Sequence, residues 1–381
     1  MKLRTVKHAP IKGKNVLLRA DLNVPLSGGS IGDDTRIRAV LPTIKLLILK
    51  KAKKIILMSH LGRPKGKRNN EYSLLPVAAH LSKLIGQRVA LAKDCVDSQL
   101  PDSKIVLLEN LRFHPEEEKN DKKFAKKLAM HGDIFVNDAF GTMHRSHASV
   151  EAVTRYLPSY AGLLVEKEVL MLGSSLAKPK RPMLAIIGGG KADKIPIVKQ
   201  MIKKADTIAV LGVLGNIMLA ARGKHSGKPP INRKDIMAAK RFCNNPKITL
   251  PSDAICARKP EDHSSMRILP IEEVPKTHMI LDCGPATMTH IHELINGAKT
   301  IFWAGTPGMY EDPHYSTGTN LIAKWMARRK AVTVTAGGDT AAAITKLGLE
   351  KAMSHVSTGG GAAVAFVEGE KLPGLEPLIK R

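Results

Sequence analysis

Short, almost uniformly apolar runs alternate along this chain with segments whose apolar residues recur every three to four positions. Runs of the first kind occupy 15–19, 54–58, 104–108 and 133–136 in the first half, and 182–187, 207–211, 247–250, 300–303 and 332–335 in the second. They lack the in–out alternation of a half-solvated strand, so they predict strands buried on both faces, in parallel sheets covered by helices. The helical periodicity is clear at Ile37, Val40, Leu41, Ile44, Leu47 and Ile48, with Asp33 and Asp34 as capping candidates. Pro42 inside that pattern predicts a kink or a restart. Residues 121–131 predict a second helix, with Asp121 as N-cap, Gly132 as stop, and Lys122, Lys123, Lys126 and Lys127 on a solvated face. Residues 163–177 predict a helix about 22 Å long, bracketed by Pro158 and the basic run 178–182, and the boundary between two lobes is expected there.

A length of 381 residues fits two domains, and 43% apolar with 25% charged residues is the balance of a folded chain. With aromatics at only 4%, the cores must be built from Leu, Ile, Val, Ala and Met. The formal net charge of +26 changes the picture, because such a field concentrates anions: phosphorylated small molecules, nucleic acid or an acidic membrane surface. Cys95, Cys243, Cys256 and Cys283 show neither CxxC nor zinc-finger spacing, which predicts free thiols in a reducing, cytoplasmic setting. The N-terminus is basic without an apolar core. The longest apolar stretch, 207–221, is broken by Gly and Asn and falls short of the roughly 20 residues that a span requires, so no membrane association is expected.

In open α/β sheets the ligand groups lie beyond the carboxyl ends of the strands. In the first half those positions hold Asp21, Asn23 and Arg36; Ser59, His60, Gly62 and Arg63; Glu109, Asn110 and Arg112; and Asn137, Asp138, His144 and Arg145. One such arginine alone would more often be a surface ion-pair partner. Four of them with a histidine on one sheet edge suit a small ligand bearing both phosphate and carboxylate, since each guanidinium presents a planar fork. In the second half, strand ends run into glycine-rich loops: Gly188-Gly189-Gly190 followed by Lys191 and Lys194, Ala336-Gly337-Gly338-Asp339-Thr340, and Ser357 to Gly361. Bare backbone at a strand-to-helix turn offers N–H groups to a phosphate, lysines add mobile charge, and Asp339 offers a hard oxygen for Mg²⁺. A glycine triplet can equally be only a tight turn. Neither a P-loop nor a GxGxxG fingerprint stands in the right context, which argues against a P-loop NTPase and a conventional NAD-dependent dehydrogenase.

The segments LLRADLNVPL, DDTRIRAVLPTI, LMSHLGRPKG, LLENLRFHPEEEKND, VNDAFGTMHRSHAS, GGDTAAA and SHVSTGGGA resemble phosphoglycerate kinases in order and spacing over essentially the whole chain. The resemblance implies an α/β fold of two Rossmann-like lobes, each a parallel β-sheet covered by helices, joined by a long inter-lobe helix. The expected boundaries are 1–162 for the phosphoglycerate lobe with the tail 368–381 returning to it, 163–177 for the helix, and 178–367 for the nucleotide lobe. It implies reversible phosphoryl transfer between ATP and the carboxylate of 3-phosphoglycerate, direct and in line on hinge closure. It places Asp21, Asn23, Arg36, His60, Arg63, Arg112 and Arg145 on the acid, and Lys191, Lys194, Glu311, Gly337, Gly338, Asp339 and Thr340 on the nucleotide, with Asp339 on Mg²⁺ and Arg36, Lys191 and Thr340 as the catalytic set. A cytoplasmic monomer acting on small molecules is implied, with nucleic acid bound at most weakly and without sequence preference.

The nucleotide half departs from the family pattern. The first glycine loop is one residue shorter (GGGKADK), a usual glycine triplet reads Leu211-Gly212-Val213, the usual WNGP reads Trp303-Ala304-Gly305-Thr306, and Ala336 replaces a glycine. Side chains of Leu211 and Val213 near the adenine, and the missing amide at Ala304, predict weakened or altered nucleotide binding with phosphoglycerate recognition intact. A non-catalytic relative that retains phosphoglycerate binding is the alternative.

Overall fold

The computed structural model describes residues 1–27, 29–190, 194–224, 227–228 and 231–380. The chain divides into two units, 1–169 together with the C-terminal residues from Lys371, and 170–370. In the first unit, strand β1 (Asn15–Arg19) is followed by a small hairpin, β2 (Leu26–Ser27) and β3 (Ser30–Ile31), and helix α1 (Thr35–Leu49). Then come β4 (Lys54–Met58), α2 (Leu75–Ile85), β5 (Val89–Leu91), β6 (Ile105–Leu107), the short α3 (Pro115–Glu118), α4 (Lys122–Ala129), β7 (Ile134–Asn137) and β8 (Ser159–Ala161). The sheet order is β5-β6-β4-β1-β7-β8, with every neighbouring pair parallel.

The uniform apolarity of the strands has a direct cause. Val16 and Leu18 of β1 and Ile55 and Leu57 of β4 pack into one core, while Leu17 and Ile56 pack into another on the opposite face. Alternate residues of a strand point to opposite faces, so a sheet covered on both sides needs apolar residues at every position. Helix α1 supplies Ile37, Val40, Ile44 and Leu47 to the first core, and α4 supplies Phe124, Ala125 and Leu128 to the second.

The helix caps follow the sequence in part. Asp121 accepts the Phe124 N–H (2.8 Å) at the start of α4, whose four lysines are all exposed. Asp33 rather than Asp34 accepts the Thr35 N–H (2.9 Å), while Asp34 binds Arg38 (2.8 Å) and His80 (2.9 Å). Pro42 does not restart the helix: α1 runs as one element from Thr35 to Leu49. A proline forfeits a single backbone hydrogen bond, and the buried residues on both sides of it keep the helix against the sheet.

Helix α5 (Leu163–Ala177) follows β8, and the division between the units falls within it. The second unit continues with β9 (Met183–Ile187), α6 (Ile195–Lys204), β10 (Thr207–Val210), α7 (Gly212–Ala221), α8 (Arg233–Lys240) and β11 (Ile248–Thr249). Next are β12 (Asp253–Ala257), β13 (Arg267–Pro270), β14 (Met279–Cys283), α9 (Pro285–Gly297), β15 (Thr300–Ala304), α10 (Thr317–Ala327), β16 (Val332–Ala336), α11 (Gly338–Lys346), β17 (His355–Val356) and α12 (Gly361–Glu368). Six of these strands form a parallel sheet in the order β11-β10-β9-β15-β16-β17, and β13-β12-β14 form a separate antiparallel sheet. The nine strands expected from the sequence are all present, each with its ends within one residue of the expected ones.

The chain end joins the first unit. Arg4 N–H donates to Leu378 O (2.8 Å), Lys380 N–H to Lys2 O (2.9 Å) and Gly374 N–H to Met143 O (3.0 Å). All four cysteines are buried and free. Among the described residues no helix is long and apolar enough to cross a membrane.

Candidate active site

At the carboxyl ends of β1, β4, β6 and β7 the first unit gathers one cationic set. Asp21 is buried and pairs with Arg36 Nη1 (3.2 Å), which also donates to Asn23 O (3.2 Å). Asn23 Oδ1 in turn accepts the Gly62 N–H (2.9 Å), and Gly62 O accepts from Arg112 Nη1 (2.8 Å). Arg112 is buried and also paired, through Nε, with Glu118 (3.1 Å). Arg145 is half-buried beside His144 (3.3 Å), and Arg63 is exposed. These contacts hold the Arg36 and Arg112 guanidinium groups before any ligand arrives.

His60 sits behind them, 4% exposed. Burial first, and then the charges of Arg19, Arg112, Arg145 and Arg36, hold its imidazole well below the ordinary histidine value, so it is neutral near pH 7. Its Nδ1 faces Arg19 Nη2 at 3.1 Å. A guanidinium can only donate, so Nδ1 accepts and the ring proton resides on Nε2, available as a donor.

Arg19 escaped the sequence reading because it lies within a strand rather than after one. It is fully buried at the end of β1 and donates to Ser149 Oγ (2.9 Å) and to Ala20 O as well as to His60. Ser149 in turn donates to the fully buried Glu117 from its hydroxyl (2.6 Å) and from its N–H (2.9 Å). An arginine closing an otherwise apolar, doubly buried strand was the available signal. Two other loop residues turn out to be scaffolding. Asn110 binds Leu61 N–H, Leu61 O and Tyr72 O, and Glu109 accepts from Ser73 (2.8 Å) and Leu74 (2.9 Å). Asp138 accepts the Leu164 (2.9 Å) and Val165 (3.2 Å) N–H groups at the start of α5, and burial raises its carboxyl to about 6.

In the second unit the glycine loops converge beyond β9, β15 and β16. Gly189 N–H donates to Thr306 O (2.8 Å), Gly188 N–H to Ala304 O (3.0 Å), and Val213 N–H to Gly189 O (3.1 Å). Gly189, Gly212, Gly305 and Gly337 all have positive φ, from 60° to 112°. The Lys194 ammonium lies in the cleft of these loops: a Cβ on Gly189 would approach it to 2.5 Å and one on Gly305 to 2.9 Å. Lys191 lies outside the described residues. Gly337 precedes α11, Gly338 opens its first turn, and Asp339 follows with an exposed carboxylate. Burial, and then Asp339 and Glu311, raise the Tyr310 hydroxyl, which places both carboxylates near that ring.

One expectation is corrected here. Leu211 is 1% exposed and packs with Leu184, Ile186 and Trp303, so its side chain belongs to the core and offers nothing to a nucleotide. Ala304 is likewise fully buried, opposite Ile187 and Ala336 in the sheet. Thr340, expected to be catalytic, is fully buried, and its hydroxyl oxygen accepts the Gly305 N–H (2.7 Å), which ties the start of α11 to the loop after β15.

Parallel sheets ending in an arginine-lined pocket in one unit and in glycine loops with lysine and carboxylate in the other define a phosphotransferase of the two-lobed α/β class. The family model described as Phosphoglycerate kinase matches residues 6–370. A phosphoglycerate kinase of Pelotomaculum thermopropionicum is 44% identical over the full length of both chains. The solved structure of phosphoglycerate kinase from Coxiella burnetii superimposes with a TM-score of 0.88 at 36% identity, covering 99% of each chain. That from Pyrococcus horikoshii gives 0.84 at 29% identity, covering 99% of this chain and 98% of the other. The chain belongs to the phosphoglycerate kinase family, enzymes that move a phosphoryl group between ATP and 3-phosphoglycerate.

Proposed function

We propose that the cationic set of the first unit holds 3-phosphoglycerate and that the loops of the second hold a magnesium nucleotide. The observation that carries this is the prearranged set Asp21, Asn23, Arg36, His60 and Arg112, built around a histidine kept neutral with its Nε2–H free to donate. Arg112, Arg145 and Arg63 meet the phosphate and carboxylate charges. Arg36 is tied to Asp21 and Asn23 only through Nη1, and the rest of its fork stabilises the phosphoryl group in transfer. Lys194 and Lys191 neutralise the nucleotide phosphates, the N–H groups at Gly337 and Gly338 approach them closely, and Glu311 receives the ribose hydroxyls. Thr340 positions Gly305.

Asp339 fits a magnesium ligand. Its carboxylate is exposed at the first turn of α11 and has no hydrogen-bond or ion-pair partner among the described residues. When bound, Mg²⁺ spreads the phosphate charge, and the protein residues do the rest of the positioning. Because the phosphoryl group passes directly, donor and acceptor oxygens must lie in line, so closure of the units over their ligands with exclusion of water belongs to the proposal. The burial of Leu211, which keeps its side chain out of the loop surface, supports catalysis over the nucleotide-impaired alternative. A cytoplasmic monomer is the setting proposed.

The test is turnover in both directions for wild type, Arg36→Ala and Lys191→Ala, with circular dichroism confirming the fold. Loss of one transition-state donor should lower kcat by about 10²–10³-fold. Wild-type kcat in a folded Arg36→Ala variant would remove Arg36 from the chemistry.

A further inference from the structure

His263, Asp312 and His314 form a compact group on the second unit that the kinase reading does not use. His263 opens a single 3-10 turn, His263–Ser265, beyond β12, and Asp312 caps another, Pro313–Tyr315, by accepting the His314 N–H (2.9 Å). Asp312 Oδ2 faces His263 Nε2 at 3.3 Å, and Oδ1 faces His314 Nδ1 at 2.9 Å. The two imidazoles stack with centroids 3.8 Å apart, and the three ligand atoms all lie within 4.8 Å of one another.

The two carboxylate–imidazole spacings, 2.9 and 3.3 Å, match those of a metal's ligand shell. Tetrahedral Zn²⁺ with bonds of about 2.0–2.1 Å separates its ligand atoms by roughly 3.3 Å. The two turns are also held in place from behind. Tyr315 is fully buried, donates its hydroxyl to Pro260 O (3.1 Å), and lies edge-on to His263 at 6.0 Å. The local charge is unusual for a chain of net charge +26, because Glu261 and Asp262 adjoin Asp312 around Tyr315. Arg258 offsets Asp262 at 2.8 Å, and among the described residues the ion-pair partners of Asp312 are the two histidines. Neither ring's outer nitrogen has a protein partner among the described residues, so each neutral imidazole can carry its proton there and turn a lone pair toward the carboxylate. Two imidazoles with one carboxylate suit Zn²⁺, Ni²⁺ or Cu²⁺ and not Mg²⁺, which takes oxygen ligands.

We propose that His263, Asp312 and His314 bind one divalent transition-metal ion of the Zn²⁺ class, with water completing the shell. This inference is independent of the roles assigned above to the kinase residues. It is tested on the untagged, EDTA-treated full chain by calorimetric titration with ZnCl₂ in the presence of millimolar MgCl₂. One ion should bind per chain, with Kd well below about 0.1 mM, or more than roughly 5 kcal/mol of binding free energy. His263→Gln and His314→Gln should each weaken it by about tenfold or more, since even outer partners of a metal ligand are worth 10–100-fold. All the replaced side chains are partly exposed, and equal melting temperatures would confirm that the variants fold. His290→Gln, which removes an exposed histidine on α9, should leave the affinity unchanged. X-ray absorption at the zinc edge should report two imidazoles in wild type and one in either variant. Absence of saturable binding, unchanged affinity in both variants, or an equal loss in His290→Gln would each overturn the site.

Discussion

Gly305→Ala is the substitution through which the second unit is most directly tested. Gly305 has φ +92°, a conformation that costs an L-residue about 1–2 kcal/mol. Its new Cβ would fall against Gly188 O, 2.5 Å from Gly188 C and 2.9 Å from the Lys194 ammonium. The first two atoms are backbone and cannot rotate away. They are held there because Ala304 pairs with Ile187 in the sheet and Gly188 N–H donates to Ala304 O (3.0 Å). Overpacking of this kind costs about 1–3 kcal/mol, for a combined penalty of roughly 2–5 kcal/mol. In a unit of about 200 residues that lowers Tm by roughly 4–20 °C. Lys194 must also leave the cleft, so MgADP affinity should fall more than tenfold while 3-phosphoglycerate affinity stays within about twofold, both read by calorimetric titration. Gly190→Ala is the stability control, since its Cβ would meet nothing within 4 Å and its φ is not positive. A folded Gly305→Ala protein with unchanged MgADP affinity would refute the role given to these loops.

Arg19→Met keeps the side-chain volume but removes the donor to His60 Nδ1 and leaves Glu117 buried without the cation that most favours its charged form, at an expected cost of about 3–5 kcal/mol. The KM for 3-phosphoglycerate should rise more than that for the nucleotide, and ¹⁵N spectra should show that His60 is no longer held as the Nε2–H tautomer; an unchanged tautomer would count against the positioning role. Asp282 is buried, accepts N–H groups from Gly318 and Cys283 at 2.8 Å each, and is pushed up to about 7 by burial. Between pH 4 and 7 the unfolded chain has released this proton and the native protein still holds it, so the stability that the group contributes falls as pH rises, by roughly 4 kcal/mol over that window. Asp282→Asn, which sacrifices one of the two hydrogen bonds, should therefore be less stable than wild type at pH 5, with the gap narrowing by pH 8 in urea unfolding; a gap independent of pH would show that Asp282 does not titrate in this range.

The parallel sheets were legible because burial on both faces forces continuous apolar runs, and the chain spells them out at 54–58 and 300–303. The short edge strands β5, β8 and β17 were not, since two or three residues carry no periodicity. The antiparallel sheet of β12, β13 and β14 escaped for a different reason: β13 (Arg267–Pro270) is mostly exposed, and its pairing with β12 is a tertiary fact that no local pattern records.

The site shows the same division between local and distant information. Asp21, Asn23, His60, Arg63 and Arg112 could be found because strand ends in such folds carry ligand groups, and position alone marks them. What prepares them could not be found that way. The tautomer of His60 depends on Arg19, 41 residues away; Arg19 is held by Ser149, 130 residues away; and Ser149 answers to Glu117. A rule that reads side chains after strands finds the groups proposed to meet a ligand and misses the buried charges beneath them, because a buried charge is tolerable only through partners the fold delivers. The same limit explains the misreading of Leu211. Its position in a glycine loop suggested exposure to adenine, while the half-turn that sends it into the core beside Trp303 is set by Gly212 at φ +60°, where a Cβ would lie 3.0 Å from Gly189 O. One glycine therefore keeps the loop backbone close to its neighbour although the residue before it is large, so loss of glycine at 211 need not cost the nucleotide its cradle.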